Sequence, residues 1–565
     1  MIKDRIKKLR HYFNKYKIDG YVIPKNDDYF SEYSEINRLK TISNFSGSAG
    51  IAIILKNKNY LFVDGRYTLQ AKIESGKYFT LVSYDKIINC KLFKNLTLGI
   101  DSKLLTSSQV KNYFSKYNKV KIIDNNLIDK IKKFSLKRNK PFYSLDNKIV
   151  GQSHFRKLAN IATYLQKKKA DYIFISAPEN VAWILNIRGY DNPNSPVPNC
   201  RLIISKRKKI YLIAEDHKVK ILIKEKKINP NQLIQPKNFQ NLILNLKDKK
   251  FIIDKKSCSL FYEQLIKSKF KIIDDEDPTY LLKAIKNKTE INHMIKSHII
   301  DGAALTKFLY WIKNINKKKI TEVEAQNKLE KFRKKNKEYL FPSFQTIAGA
   351  GPNGAIVHYR AKKDSCRLID KSDIFLCDSG GQYKYGTTDV TRTICFSRPN
   401  DKIKNIFTKV LKGHIAVANT NLNKINTGKK IDIIARKFLK MSGLDYAHGT
   451  GHGVGFFLNV HEGPQSISKL NNVKILEGMI LSNEPGYYKE KSFGIRIENL
   501  VYVKKRNSRL FFENLTLAPI DKDLINFKLL TNFEKNYLFS YHLNVYSKIS
   551  KYLNVNERKW LASHF

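Results

Sequence analysis

The sequence predicts a multidomain protein of mixed α/β and α+β class, with two related α/β modules ahead of a larger unit. Three observations carry this reading. At 565 residues the chain is too long for a single core, and its length implies several domains. An alternation of helical and strand-like patterns in the first part of the chain recurs, diverged, after a polar stretch. Beyond Pro278, short apolar runs end on acidic residues or break at glycine turns.

The elements follow in order. Ile2, Ile6, Leu9, Phe13 and Tyr16 recur at helical spacing, so the chain opens on an amphipathic helix. It is basic but lacks the apolar centre of a secretion signal. Gly20 to Pro24, Gly50 to Leu55 and Tyr60 to Asp64 read as strands, the last two separated by a Lys-Asn-Lys-Asn turn. Ser135 to Asn147 is polar, contains Pro141 and is the expected linker, which bounds a first domain at residues 1–134. In the second module Leu158 to Leu165 is helical. Asp171 to Ile175 parallels Asp19 to Ile23, and Asn186 to Gly189 parallels Asn44 to Gly47. Strands at Leu202 to Ile204 and Ile210 to Ile213 complete a module expected over 148–277.

Pro278 opens the third unit, expected over 278–514. Leu281, Ile285, Ile291, Met294, Ile295 and Ile299 predict one long amphipathic helix from Tyr280 onward. Thr321-Glu322-Val323-Glu324 is a capping box that starts another helix. Ser372 to Arg398 reads as two strands and a loop. Ile374 to Cys377 ends in Asp378, Ser379-Gly380-Gly381 breaks the run, and a period-2 pattern then carries Asp389, Thr391 and Thr393 on one side. If the two runs pair, both aspartates face one pocket. The extension 515–565 opens a helix at Thr531, with Phe533, Tyr537, Leu538, Tyr541 and Val545 as its core stripe.

Composition narrows the class. Hydrophobic content of 42% suits globular cores. The six cysteines are scattered without a Cys-x-x-Cys pair, which fits reduced thiols in a cytoplasmic protein. Cys377 and Cys395 flank the two aspartates and read as small core residues. No apolar run approaches a membrane span. The net charge of +54 raises nucleic acid as a partner. The lysines are spread along every segment, with only short runs such as Lys167 to Lys169 and Lys317 to Lys319, so they read as a solvated surface.

The chemistry lies in the third unit. An aspartate that ends a buried strand is costly unless compensated. His452 sits in His448-Gly449-Thr450-Gly451-His452-Gly453-Val454-Gly455, where glycines let backbones crowd a site. Glu484 closes the run Met479 to Asn483 before Pro485-Gly486, and Glu498 follows Ile495-Arg496-Ile497. Oxygen-dominated ligation with one imidazole suits Mn²⁺, Zn²⁺ or Co²⁺. Four carboxylates are too many for one catalytic ion and suit two, about 3.5–4 Å apart and bridged by carboxylates and a hydroxide.

Asp378, Asp389, His452, Glu484 and Glu498, within HGTGHGVG, NEPGYY and RIEN, resemble the five-ligand signature of the pita-bread metallopeptidases. HYRA at His358, TTDVTRT, FLNVHEGP and FGIRIEN resemble the long, three-domain Xaa-Pro aminopeptidase subgroup. The resemblance spans essentially the whole chain. It implies two creatinase-like N-terminal domains and a catalytic domain with a curved antiparallel sheet. It further implies a homodimer, two Mn²⁺ ions, and hydrolysis of the bond before a proline in second position.

By the same resemblance, Asp378 chelates one ion, Asp389 and Glu498 bridge, and His452 and Glu484 complete the second. Glu484 is the candidate proton acceptor. His358 and His461 bind the carbonyls around the scissile bond, with His461 at the oxyanion or the leaving nitrogen. His448 lines the pocket, and Val460 and Tyr488 match the wall that receives proline. Arg496 is either a partner of the bridging acids or a substrate contact. Proline dipeptidase is the nearest rival within the fold. Non-catalytic pita-bread proteins that bind peptides or associate with nucleic acid are the rival of another class, and they typically lack part of the ligand set.

Overall fold

In the computed structural model the described residues are 1–88, 90–135, 139–314 and 319–564. Leu136, Lys137 and Arg138 of the expected linker, and Lys317 and Lys318 of one basic run, lie outside them. The chain divides into two compact units, Met1–Tyr280 and Leu281–Phe565.

The first unit contains two six-stranded sheets of the same design. In one, Gly20–Pro24 pairs antiparallel with Ile51–Leu55 and parallel with Thr97–Ile100. In the other, Tyr172–Ile175 pairs antiparallel with Arg201–Ser205 and parallel with Lys250–Ile253. Outward from these central strands the pairings again agree in direction. The repeat expected from sequence therefore exists as topology, and its matched residues do matched work. Asp19 Oδ2 accepts from the Thr97 N–H at 2.9 Å, and Asp171 Oδ2 accepts from the Lys250 N–H at 3.0 Å, so each ties its central strand to the start of the parallel neighbour. Asn44 and Asn186 each end a helix in the left-handed region, at φ 64° and 53°, which asparagine tolerates better than most residues.

Among the described residues of the second unit all strand pairings are antiparallel. Ile374–Ser379 pairs with Ile347–Ala350 on one side and Val390–Cys395 on the other. A five-stranded sheet runs in the order Glu462–Ile467, Gly451–Gly453, Ile480–Asn483, Asn499–Arg506, Arg509–Asn514. The connection between Asp378 and Asp389 is more than a loop, because Gly381–Tyr383 and Gly386–Thr387 pair within it.

Two expectations are corrected. The helix from Tyr280 is two helices, Thr279–Ala284 and Lys288–Asn314. Between them the Lys286 N–H donates to Gly478 O at 3.0 Å, and Asn287 and Glu290 cap the second helix through reciprocal side-chain bonds. Helical periodicity continues across the break, but Leu281 and Ile285 are exposed, so that part of the stripe is not core. In the last long helix, Asn532–Ile549, Leu538, Tyr541 and Val545 are buried, whereas Phe533 is 62% exposed. The Thr321 capping box is present as expected.

Candidate metal centre

Strand register brings the two aspartates together. Asp378 pairs with Thr391, and continuing the alternation back past Val390 puts Asp389 on the same face. Both are buried, at 7% and 4% exposure. His452 arrives from the neighbouring sheet on a strand that only glycine permits. A Cβ at Gly451 would stand 1.9 Å from Ser482 O, and one at Gly453 would stand 2.3 Å from Glu462 O. The His452 N–H donates to Ser482 Oγ at 2.9 Å, and Ser482 Oγ donates to Glu484 Oε1 at 3.0 Å. Glu498 enters just ahead of Asn499–Arg506, where its N–H donates to Thr391 O and the Thr391 hydroxyl donates to Glu498 Oε2 at 2.6 Å.

The five candidate ligands converge. Asp389, His452 and Glu498 each offer an atom within 4.8 Å of the others. His452 Nε2 is 3.5 Å from both Asp389 Oδ2 and Glu484 Oε1. Its Nδ1 lies 3.0 Å from Gly453 O, so with that nitrogen protonated a neutral ring would turn a bare Nε2 toward two carboxylates. Asp378 Oδ1 is buried without a hydrogen-bond partner. Burial, with the charges of Asp389 and Glu484, pushes the Asp378 carboxyl up to about 7 against the pull of Arg496. Burial and the same crowd of acids raise Glu498 well above the usual carboxylate range. Burial alone would lower the His452 imidazole, but Asp389 and Glu484 carry it up to about 9. Negative charge concentrated this way is what bound cations compensate, and the donor set of hard oxygens and one imidazole fits divalent ions.

The other candidate residues surround this cluster. The His461 ring packs edge-on against His452, centroids 4.3 Å apart, and Val460 beside it is 1% exposed. His358 lies in the turn after Gly351–Ala355. That turn is anchored because Tyr359 OH and Asn353 Nδ2 both donate to the buried Glu322. His448, Tyr488 and Arg496 form a chain that ends on a ligand candidate. Arg496 Nη2 donates to Asp378 Oδ2 at 2.6 Å, its Nη1 donates to Tyr488 OH at 2.6 Å, and Tyr488 OH lies 2.8 Å from His448 Nε2. Burial pulls the His448 imidazole down to about 4, which keeps it a neutral acceptor for that hydroxyl.

Sequence reasoning missed Thr391, Ser482 and Arg392. Thr391 was legible in principle, since it alternates with Asp389 on the pocket face. It donates to Glu498 and accepts from Arg496 Nε at 3.0 Å. Arg392 points the other way and donates to Glu498 O, Ala518 O and Tyr541 OH, partners whose proximity no local pattern announces. Cys377 and Cys395 are buried as expected. A second acidic grouping, Cys395 with Asp521 and Asp523, already holds the Lys313 ammonium at 2.7 Å from each aspartate.

Comparison with known proteins agrees with this geometry. Residues 292–505 match metallopeptidase family M24, and residues 508–564 match the C-terminal region of that peptidase family. Residues 5–131 and 135–290 each match a creatinase/prolidase N-terminal domain. A probable Xaa-Pro aminopeptidase P from Laccaria bicolor is 38% identical over 595 residues, covering 99% of this chain and 92% of the relative. The crystal structure of X-prolyl aminopeptidase from Caenorhabditis elegans, described as a cytosolic enzyme with a di-nuclear active site, superposes with a TM-score of 0.93. It is 28% identical and covers 100% of this chain and 99% of that one. The prolidase from Pyrococcus horikoshii, 26% identical, matches with a TM-score of 0.53 over 65% of this chain and 99% of its own. With its creatinase-type N-terminal modules, its antiparallel pita-bread unit and its converging acids, the chain belongs to metallopeptidase family M24.

Proposed function

We propose that the protein is a metal-dependent Xaa-Pro aminopeptidase that releases the first residue of peptides with proline in second position. The observation that carries this reading is the convergence of Asp378, Asp389, His452, Glu484 and Glu498 on one buried, negatively overcharged pocket. Likeness along the whole chain to enzymes of that name supports aminopeptidase over dipeptidase, since the prolidase likeness covers only part of it. We assign domains to 1–134, 148–277, 278–514 and 515–565. We further assign the enzyme to the cytoplasm as a homodimer.

Those five residues would hold two divalent ions, manganese by our reading. When bound, the ions supply Lewis-acid activation of a water and of the peptide carbonyl near neutral pH. Everything else falls to the chain's own residues. Glu484, oriented by Ser482, accepts the proton of the attacking water. His461 and His358 donate to the carbonyl oxygens around the scissile bond, where charge develops. The substrate's terminal ammonium is drawn to the acidic end of the site near Asp378, which limits cleavage to one residue. The His448–Tyr488–Arg496 chain holds Asp378 in place. Proline offers no N–H and a fixed φ, so its ring needs an apolar wall, here Val460 and the Tyr488 ring, rather than an acceptor.

The test compares Arg-Pro-Pro with Arg-Pro on the manganese-loaded protein. Release of arginine from the tripeptide with a clear preference in kcat/KM is expected. A marked preference for the dipeptide would replace this reading with proline dipeptidase.

A further inference from the structure

Glu462 takes no part in the site described above, yet it directly follows His461 and is gripped by two buried ammonium groups. Lys283 Nζ donates to its Oε2 at 2.6 Å, and Lys286 Nζ donates to its Oε1. Lys283, Lys286 and Glu462 are 2%, 4% and 6% exposed. Removing such ions from water is costly, and apolar residues of similar volume often stabilise a core as well or better. A buried arrangement of this cost is better explained by what it positions.

Glu462 begins the strand Glu462–Ile467 and pairs with Gly453, the residue after His452. The Glu462 carboxylate faces the lysines, and the preceding His461 ring faces His452. Both lysines come from the segment where the expected long helix breaks. That segment is also tied to the strand that ends before Glu484, because Lys286 N–H bonds Gly478 O and Ile285 bridges Met479. One turn therefore braces the backbone that carries His461 and the backbone that leads to Glu484.

Building on the proposed aminopeptidase activity, we infer that Lys283, Glu462 and Lys286 form a positioning clamp that sets His461 against the metal centre. The clamp touches no reacting atom and acts through the placement of His461. Glu462→Gln keeps the size and removes the charge, and Lys283→Met leaves a single lysine on the carboxylate. In the full-length manganese-loaded protein, each variant is expected to retain the wild-type metal content and a KM for Arg-Pro-Pro within about twofold. Turnover should fall about 10- to 100-fold, the range that sub-ångström to ångström misplacement produces. The ring resonance of His461, identified with His461→Asn and read on zinc-loaded protein because Mn²⁺ is paramagnetic, should shift in both variants.

Turnover close to wild type with a lowered Tm would mean that the clamp serves stability alone, and the inference would be overturned. Metal loss in proportion to lost activity would overturn it equally. If Glu462→Gln does not fold, Lys283→Met decides. Wild-type protein assayed alongside separates the two ideas. No cleavage by wild type refutes the function, whereas normal cleavage by wild type and variants alike refutes only the clamp.

Discussion

Uncompensated negative charge dominates the energetics of single side chains in the pocket. Asp378, Asp389, Glu484 and Glu498 are brought together out of water, and Arg496 forms an ion pair with Asp378 at 2.6 Å. Like charges in a low-dielectric site repel by amounts that rival a typical mutational effect. Glu498→Gln should therefore have opposite effects on two measurements. Without metal, the variant is expected to be more stable than wild type by about 1 kcal/mol or more, because the buried Glu498 carboxyl must either stay charged among like charges or take up a proton at a cost, and the amide does neither. With metal, kcat/KM should drop at least about 100-fold and most of the ligand-induced gain in Tm should vanish. Calorimetry with and without Mn²⁺, beside an Arg-Pro-Pro assay, checks both. A metal-free variant less stable than wild type would contradict the charge argument. At this scale the sequence was informative: the four acids and one imidazole that it singled out lie close together. Inside the same TTDVTRT string, the alternation places Thr391 beside Asp389 but gives it no role, and Arg392 escaped notice because its partners are remote in the chain.

Elements hold these side chains through contacts that periodicity does not encode. Arg392 donates to Pro519 O at 2.9 Å, Ala518 O at 2.8 Å, Glu498 O at 2.6 Å and Tyr541 OH at 2.9 Å, so the helix Asn532–Ile549 and a candidate ligand share one guanidinium. On the same helix His542 is 2% exposed, and its Nε2 accepts from the Ile520 N–H at 3.1 Å. Burial, with the His564 and Arg392 charges, pulls His542 from 6.5 down to about 3. A group whose folded value is depressed stays neutral in the fold while the unfolded chain takes up a proton below 6.5. Stability is thus fully present above that pH and declines as pH falls toward 3, at up to about 1.4 kcal/mol per unit from this residue. Urea midpoints between pH 4 and 7 should show the decline, and His542→Gln, which keeps an acceptor for Ile520, should flatten it. An unchanged slope in that variant would assign the decline to other groups. The break after Ala284 belongs to this scale too. Its apolar spacing looked continuous, and a hydrogen bond to Gly478, far away in sequence, decided otherwise.

The whole molecule consists of one repeated module and one catalytic unit, and its two compact halves make separate thermodynamic claims. The half after Tyr280 contains every proposed metal ligand, and the half before it contains none. Ligand binding stabilises only what it binds, by an amount that grows with the logarithm of ligand concentration. Thermal unfolding is therefore expected to resolve into two transitions, of which Mn²⁺ raises only the one that reports residues 281–565. Hydrogen exchange read by mass spectrometry assigns each transition to its half. Equal metal-induced protection of both halves would contradict this division. Among the described residues no helix is long and apolar enough to cross a membrane. The repeat was visible from Asp19 and Asp171, because the same strand-start bond imposes the same residue twice.

What the sequence determined by itself is local in origin. Alternation and glycine turns mark strands, capping boxes mark helix starts, and acids at strand ends mark where charge would gather. These signals arise from backbone sterics and burial within a few residues, so they survive without the fold. The tertiary structure alone decided which remote groups meet: Arg496 on Asp378, Arg392 on Glu498, and two lysines on Glu462. Each of these contacts spans more than a hundred residues. Their geometry depends on how sheets and helices pack, and no spacing along the chain expresses that.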